Sequence, residues 1–234
     1  MPFQGETSKC LEELSNVNGN GTTEDDTIII ADAIVTCHIK EGNSDKAVEY
    51  LNTLLKTSSE RTQEKVFGHA CFLLAREQIR NGHRISAARL AKRILRLAKA
   101  ASDHYLERSG LQLLATIYEK QHDPKSTRAL LKKFLDVPGA TVQEQVRALL
   151  QLAALAPETG DDALKYLNEA LDQAKRSGNI DVIVTAQSAM LRYYMCFTPD
   201  NELCLSELLS EQRNLLKEDI GKFLAFRRIQ RSSG

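Results

Sequence analysis

The chain has 234 residues, equal numbers of basic and acidic side chains, no Trp and 42% hydrophobic residues. Zero net charge argues against a dedicated nucleic-acid coat protein, because such proteins need a strong basic excess. No run approaches the roughly 18 apolar residues that a membrane-spanning helix requires, and the five Cys are scattered rather than arranged as a disulfide framework.

The first 26 residues differ in composition from the rest of the chain. They are rich in Asn, Gly and Thr, and they carry one Lys against six acidic side chains. This composition is typical of a disordered acidic tail. The opening sequence MPFQGETSKC lacks the apolar centre of a signal peptide, so we expect a cytoplasmic or nuclear protein.

Apolar residues at helical spacing predict antiparallel helix pairs through most of the remaining chain. Turn chemistry marks several boundaries: Asp123 precedes Pro124 as an N-cap precedes a proline, and Thr141 with Glu144 fits a capping box. The predicted helices cover 27–40 and 44–57, 62–80 and 84–101, 104–121 and 124–136, 142–156 and 161–176, and, less regularly, 181–197 and 201–229.

The second helix of each of the first four predicted pairs begins in the same way. A turn is followed by a small residue and, four residues later, by an apolar one. The positions recur at spacings of 40, 40 and 36 residues: Ala47 with Leu51, Ala87 with Ala91, Thr127 with Leu131, and Ala163 with Leu167. A repeat of this length indicates a stacked array, because one helix pair cannot bury its apolar stripe alone.

These features resemble the tetratricopeptide (TPR) repeat superfamily. The closest match is in the third unit, at Leu114, Ala115, Tyr118, Thr127, Leu131 and Phe134. The resemblance covers residues 27–176, and its period exceeds the family's about 34 residues, so the helices are longer; HEAT repeats share the longer period. Two stretches, EGNSDKAVEYL and TVQEQVRALLQLA, also resemble parts of the meiotic TPR scaffolds of the Spo22/Zip4 family.

The resemblance implies an all-α fold: a right-handed α-α superhelix, a TPR-like solenoid of about five antiparallel helix pairs. We expect the repeats to occupy residues 27–200. Residues 201–229 are expected to form a helix that either caps the array or docks onto another protein, because residues 213–234 carry six basic side chains against two acidic ones beside several apolar positions. Residues 230–234 are expected to be a loose tail.

In the resembled family the first helix of each pair lines a concave groove. Its groove positions fall on eight residues: Asp32, Thr36, Phe72, Arg76, Arg80, Gln112, Thr116 and Lys120. Two interpretations remain open, a peptide-binding surface with mixed apolar and charged contacts or an ordinary polar surface. The Lys-then-Asn pattern of chaperone-binding TPR proteins is absent, which argues against an adaptor for C-terminal chaperone peptides.

Basic side chains on two second helices are the other candidate site. The segment 84–99 contains no acid, and basic residues reappear one repeat later. The predicted patch comprises Arg89, Lys92, Arg93, Arg96, Lys125, Arg128, Lys132 and Lys133. Such a patch would attract an acidic or phosphorylated protein segment or nucleic acid. Alternatively, it is a solvated helix face or pairs with the acidic tail of the same chain.

Motifs for catalysis are missing from the sequence. It contains no phosphate-binding loop, dinucleotide-binding loop or nucleophile elbow, and no His-x-x-x-His or Cys-x-x-Cys pair that predicts a metal site. We therefore expect no enzyme activity, no cofactor and no metal.

The sequence predicts a non-catalytic scaffold or adaptor that binds a partner protein through the repeat groove and the basic patch, with no membrane contact. Two alternatives stay open. One is a nucleic-acid- or chromosome-associated repeat protein that uses the 84–133 basic patch. The other is a subunit of a larger multiprotein assembly that docks through its C-terminal helix.

Overall fold

The computed structural model describes residues 23–58, 63–156, 161–197 and 203–217. These ranges contain α-helices and turns but no β-strand, which confirms the predicted all-α class. The helices are α1 (Glu24–Lys40), α2 (Ser44–Thr57), α3 (Glu64–Arg80), α4 (Arg84–Ala101), α5 (His104–Lys120), α6 (Pro124–Asp136), α7 (Val142–Ala154), α8 (Asp161–Ser177), α9 (Ile180–Phe197) and α10 over 203–217. None of these helices combines the length and hydropathy needed to cross a bilayer.

Helix α1 begins at Glu24, three residues before its predicted start, because a capping box closes its first turn. The Asp26 N–H donates to Thr23 Oγ1 at 3.2 Å, and the Thr23 N–H donates to Asp26 Oδ2 at 3.1 Å. The Thr23 hydroxyl also donates to Asp26 Oδ2 at 2.7 Å, and this bond, followed by that from the Thr23 N–H, lowers the pKa of the Asp26 carboxyl. Residues 24–26 of the predicted tail thus lie within α1. The remainder of that tail over 1–22, residues 218–229 of the predicted last helix and the tail 230–234 lie outside the described residues.

Contacts between Cα atoms divide the chain into two compact units, unit 1 within residues 1–139 and unit 2 within 140–234. In unit 1, the first helices α1, α3 and α5 alternate with the second helices α2, α4 and α6. Helix α3 contacts both α1 and α5, and each second helix packs against the first helix of its own pair. The described second helices α2, α4 and α6 have no Cα atoms within 8 Å of one another.

The same turn joins the two helices of each pair in unit 1. The N–H groups of Asn43, His83 and Asp123 donate to the carbonyl oxygens five residues earlier, at 2.8, 2.8 and 3.0 Å. The preceding residue has positive φ in every case, 77° at Gly42, 80° at Gly82 and 57° at His122. This left-handed conformation is the usual reason for glycine after a helix. The 40-residue spacing is thus present in the hydrogen bonds as well as in the sequence pattern.

The repeat positions identified from the sequence lie in the core of unit 1. Ala47, Ala87 and Thr127 are buried, and Thr127 Oγ1 donates to the Asp123 carbonyl at 2.7 Å, so its buried hydroxyl is satisfied. The core between α3, α4 and α5 contains Phe67, Cys71, Ala75, Ile79, Ala87, Ala91, Ile94, Ala98, Leu106, Leu113, Leu114 and Ile117. Burial of these apolar stripes holds the helix pairs together.

Unit 2 is formed by α7, α8, α9 and α10. The predicted capping box at the start of α7 is confirmed, because the Thr141 N–H donates to Glu144 Oε2 at 2.8 Å and the Glu144 N–H donates to Thr141 Oγ1 at 3.2 Å. Helix α8 packs against both α7 and α9. Glu211 anchors α10 to α8 and α9, because its carboxylate accepts hydrogen bonds from Lys175 Nζ at 3.1 Å and from Gln187 Nε2 at 3.2 Å.

Candidate functional site

The eight predicted groove residues lie on the first helices of unit 1, and we call their exposed side the first-helix face of unit 1. Five of them are half-buried, namely Asp32, Phe72, Arg76, Gln112 and Thr116, and three are exposed, namely Thr36, Arg80 and Lys120. The three helices are neighbours, so the face is continuous from α1 to α5.

A buried histidine links the three first helices. His69 in α3 places Nε2 3.1 Å from Asp32 Oδ2 in α1 and Nδ1 3.5 Å from the Tyr105 hydroxyl in α5. The His69 side chain is 5% exposed, whereas the Asp32 side chain is 48% exposed. The interaction therefore ties an accessible carboxylate to the interior of the face.

The electrostatics of this cluster keep Asp32 ionised. The hydrogen bond from His69 lowers the pKa of Asp32; partial burial opposes this shift, and the charges of His69 and Arg76 reinforce it. The Arg76 guanidinium lies 5.9 Å from the Phe72 ring centroid, and the His69 ring lies 6.1 Å from the same ring. An aromatic ring with a cation beside it thus occupies the exposed side of α3.

Two of the predicted groove residues also stabilise the fold. Arg80 Nη1 donates to Glu77 Oε1 at 3.2 Å, and the Glu77 side chain is only 1% exposed, so Arg80 compensates a buried charge. Ser44 in α2 donates to the other oxygen of Glu77 at 3.4 Å. Thr116 Oγ1 donates to the Gln112 carbonyl at 2.9 Å, which occupies its hydroxyl within α5.

The eight predicted patch residues lie on α4 and α6. Six are exposed, namely Arg89, Lys92, Arg96, Lys125, Lys132 and Lys133, whereas Arg93 and Arg128 are half-buried. Arg93 stacks on the Phe67 ring of α3, with its guanidinium carbon 4.4 Å from the ring centroid. Because no Cα atom of α4 lies within 8 Å of α6, a continuous basic patch stays a prediction.

An apolar cleft in unit 2 did not emerge from the sequence. A cavity of about 390 Å³ between α7, α8 and α9 is lined by Leu150, Ala153, Ala154, Ala156, Ala163, Leu167, Ala189, Arg192, Tyr193, Cys196 and Phe197. A second cavity of about 150 Å³, which shares Leu150, is lined by Gln143, Val146, Arg147, Asp181, Val182 and Thr185. We call the two cavities together the α7–α9 cleft.

The lining residues show how α7 and α9 run along this cleft. The early residues of both helices line the small cavity and their late residues line the large one, so the two helices are parallel. The end of α7 and the residues after it carry three alanines, Ala153, Ala154 and Ala156, which line the larger cavity together with Tyr193 and Phe197 of α9. That juxtaposition of small and aromatic residues is the sequence signal that could have indicated the cleft.

Comparisons with known proteins add no family assignment. No protein-family model matches the chain, and a search of curated proteins finds no match. The resemblance to TPR repeats therefore stays an interpretation of the sequence. Within the described ranges, no group of three or more His, Cys, Asp or Glu side chains is arranged to hold a metal ion.

Proposed function

We propose that the chain is a non-catalytic scaffold or adaptor that binds a partner protein through the first-helix face of unit 1. We also propose that its helix pairs form a right-handed, TPR-like superhelix. The observation that carries the binding proposal is the half-buried pair of Phe72 and Arg76 on α3, flanked by α1 and α5. Aromatic and arginine side chains are the residues that most often dominate binding energy at protein interfaces.

The hydrogen bonds of His69 support binding rather than catalysis. The Asp32–His69 pair has the composition of a catalytic acid–base pair, but His69 is buried. One of its ring nitrogens contacts Asp32 and the other contacts Tyr105. A general base needs a nitrogen within reach of the substrate proton, and the His69 ring is buried in the fold.

The side chains of the face also suggest the chemistry of the partner. Phe72 offers an apolar contact, Arg76 a charge, and half-buried Gln112 an amide that both donates and accepts hydrogen bonds. A protein segment with an apolar anchor beside an acidic or phosphorylated residue would complement all three.

A double variant of the full chain tests this proposal. Phe72→Ala with Arg76→Glu should reduce recovery of the partner by at least about tenfold in quantitative affinity purification, since hot-spot truncations cost ~2 kcal/mol or more. The matched control, Ile85→Ala with Arg84→Glu, makes the same chemical changes at exposed positions of α4 and should recover the partner normally. The proposal fails if every partner is retained by the Phe72/Arg76 variant while its thermal unfolding matches that of the unchanged chain.

The exposed cations of α4 and α6 favour a second candidate function, nucleic-acid binding. Arg89, Lys92 and Lys132 are exposed, so their reversal to Glu should leave the fold intact. If this candidate is correct, binding to a labelled duplex falls steeply with salt and disappears in the triple variant. Absence of binding by the unchanged chain at about 50 mM salt eliminates it.

A third candidate function is docking onto a larger assembly through the C-terminal helix. It is supported by two exposed leucines in the described part of that helix. Leu209 and Leu216 lie two turns apart on α10 and are 49% and 44% exposed. Changing both to Ser should dissociate the chain from a larger assembly in size-exclusion chromatography if this helix is the docking element.

A further inference from the structure

We propose that the α7–α9 cleft binds an amphipathic helix of a partner protein, with a large apolar side chain of that helix inserted between α7 and α9 and an acidic one paired with Arg192. This inference rests on the proposed function, protein binding, but it uses residues of unit 2 rather than unit 1. The bound helix would lie along both cavities, with its apolar anchor in the larger one.

The dimensions of the cleft suit a helix. Its larger cavity of about 390 Å³ lies at the lower end of the range of about 300–1,000 Å³ for small-molecule pockets, a volume that suits the inserted side chain rather than the whole helix. Helix α7 lines the cleft from Gln143 to Ala154, a length of roughly 17 Å, or about three helical turns. Ala153, Ala154 and Ala189 carry nothing beyond Cβ, so another helix can approach closely at these points.

The apolar wall favours a helix over an extended peptide. An extended segment brings unpaired backbone N–H and C=O groups, which need hydrogen-bond partners when buried. The wall of the larger cavity is mainly Ala, Leu, Tyr and Phe side chains, and it offers few such partners. A helix satisfies its own backbone and presents only side chains to the cleft.

Aromatic side chains supply the anchor contacts at one end of the cleft. Tyr193 and Phe197 have ring centroids 5.2 Å apart, and Phe197 is 48% exposed. Large apolar side chains grouped at the mouth of an apolar cavity are typical of protein-binding sites.

Arg192 determines the charge that the partner should carry. It lines the larger cavity, is exposed, and makes no ion pair with any residue in the described part of the chain. Its Nε donates to the Ser188 carbonyl at 3.3 Å, which fixes its direction. At the other end, Arg147 and Asp181 line the smaller cavity together and balance each other. The cleft should therefore favour a partner that places an acidic side chain near Arg192.

Helix α10 leaves the cleft open. It contacts α9 through Gln187 and Ser188, whereas the cleft is lined by Ala189, Arg192 and Tyr193. At 100° per residue Gln187 points away from these lining residues, whereas Ser188 lies only about 40° from Arg192, so α10 runs beside the Arg192 edge of the cleft. The described part of α10 therefore contributes no residue to the lining, and the proposal assigns the covering element to a partner.

Fluorescence anisotropy with the full chain tests the proposal. The probe is a labelled, stapled helical peptide of about 15 residues with one stripe of Leu and Phe flanked by Glu, and a matched peptide carries Lys in place of Glu. The unchanged chain should bind the Glu peptide at least about tenfold more tightly than the Lys peptide, and Arg192→Glu should reverse this preference, since an interfacial charge pair contributes ~1.4 kcal/mol or more. Ala154→Trp, at an exposed lining position, should weaken binding of both peptides at least about tenfold.

Three further variants control the experiment. Arg213→Glu on the exposed side of α10 should leave binding unchanged, and so should Phe72→Ala with Arg76→Glu, because that pair lies in unit 1. Failure of the unit 1 proposal would therefore leave this result intact. Phe223→Glu with Phe226→Glu should also have no effect, and an affinity gain of about tenfold in that variant would show that the chain's own segment occupies the cleft. Four outcomes would each overturn the proposal. They are that gain in affinity, equal affinity for the two peptides, no binding of either peptide by the unchanged chain, and binding that Ala154→Trp does not weaken.

Discussion

The first-helix face of unit 1 and the α7–α9 cleft of unit 2 are both formed by alternate helices of the chain. The two sites differ in how closely those alternate helices approach one another. In unit 1, a Cβ atom added at Gly68 would lie 2.7 Å from Leu106 Cδ2, so α3 and α5 are in close contact. His69 then connects α3 to both neighbours. In unit 2, α7 and α9 also contact each other, but a cavity of about 390 Å³ remains between them and α8.

The comparison indicates that the side chains packed at the contact between neighbouring first helices determine what the exposed face of these helices can bind. A closed face favours partners for its buried polar groups. Unit 1 supplies one to His69 through Asp32, although the buried Arg76 Nε has no hydrogen-bond partner among the described residues. Its outer surface is consequently polar, with Phe72 as an apolar contact. An open cleft exposes apolar side chains instead, and unit 2 offers a cavity with one cation at its edge.

The largest expected effect comes from forcing the closed face apart. Gly68→Val should destabilise the chain by about 1–3 kcal/mol, because the added side chain meets the buried Leu106. Urea unfolding measures this loss. In a double-mutant cycle, the loss of unfolding free energy in Gly68→Val with Leu106→Ala should be smaller than the sum of the two single losses. Strictly additive losses would show that Gly68 and Leu106 are not in contact.

A smaller effect is expected from the polar link across α1 and α3. Asp32→Asn should cost less than about 1 kcal/mol at neutral pH, because Asp32 is half exposed. Since the folded-state pKa of Asp32 lies below its ordinary value of 3.8, the ionised carboxylate stabilises the fold above pH 3.8, and this contribution is lost as the pH falls through the lowered pKa.

Urea unfolding of both chains across pH 2–7 measures this dependence. The difference between the unchanged chain and Asp32→Asn should shrink at the acidic end of the series. Asp45→Asn, at an exposed position of α2, is the matched control. A difference that grows on acidification would contradict the assigned hydrogen bond.

The smallest effect is expected from adding bulk to the open cleft. Ala154→Leu places a larger side chain at an exposed lining position and should change the free energy of unfolding by no more than about 0.5 kcal/mol. Thermal unfolding measures the shift. A loss as large as that of Gly68→Val would mean that α7 and α9 are as tightly packed as α3 and α5.

Local features of the fold were predictable from the sequence because they depend on neighbouring residues. The cap at Asp123 and the small residues at Ala47 and Ala87 lie where the pattern placed them. The early start of α1 was missed because Asp26 provides the capping-box carboxylate within a run of acidic residues.

The chemistry of the two faces was less predictable because it depends on contacts distant in sequence. The pairing of Asp32 with His69 spans 37 residues, and the stacking of Arg93 on Phe67 removes a cation from the predicted patch. The α7–α9 cleft depends on the separation of two helices joined through a third. No single segment of the sequence encodes that distance.

The central claim, that the first-helix face of unit 1 binds a partner protein, is tested most directly by site-specific photo-cross-linking in cells. A photoreactive amino acid is placed at Phe72 or Gln112 on the face and, as a control, at Glu49 or Lys92 on exposed positions of second helices. The account predicts a discrete cross-linked partner from the first two positions and none from the other two. A partner that cross-links only from Glu49 or Lys92 would contradict it.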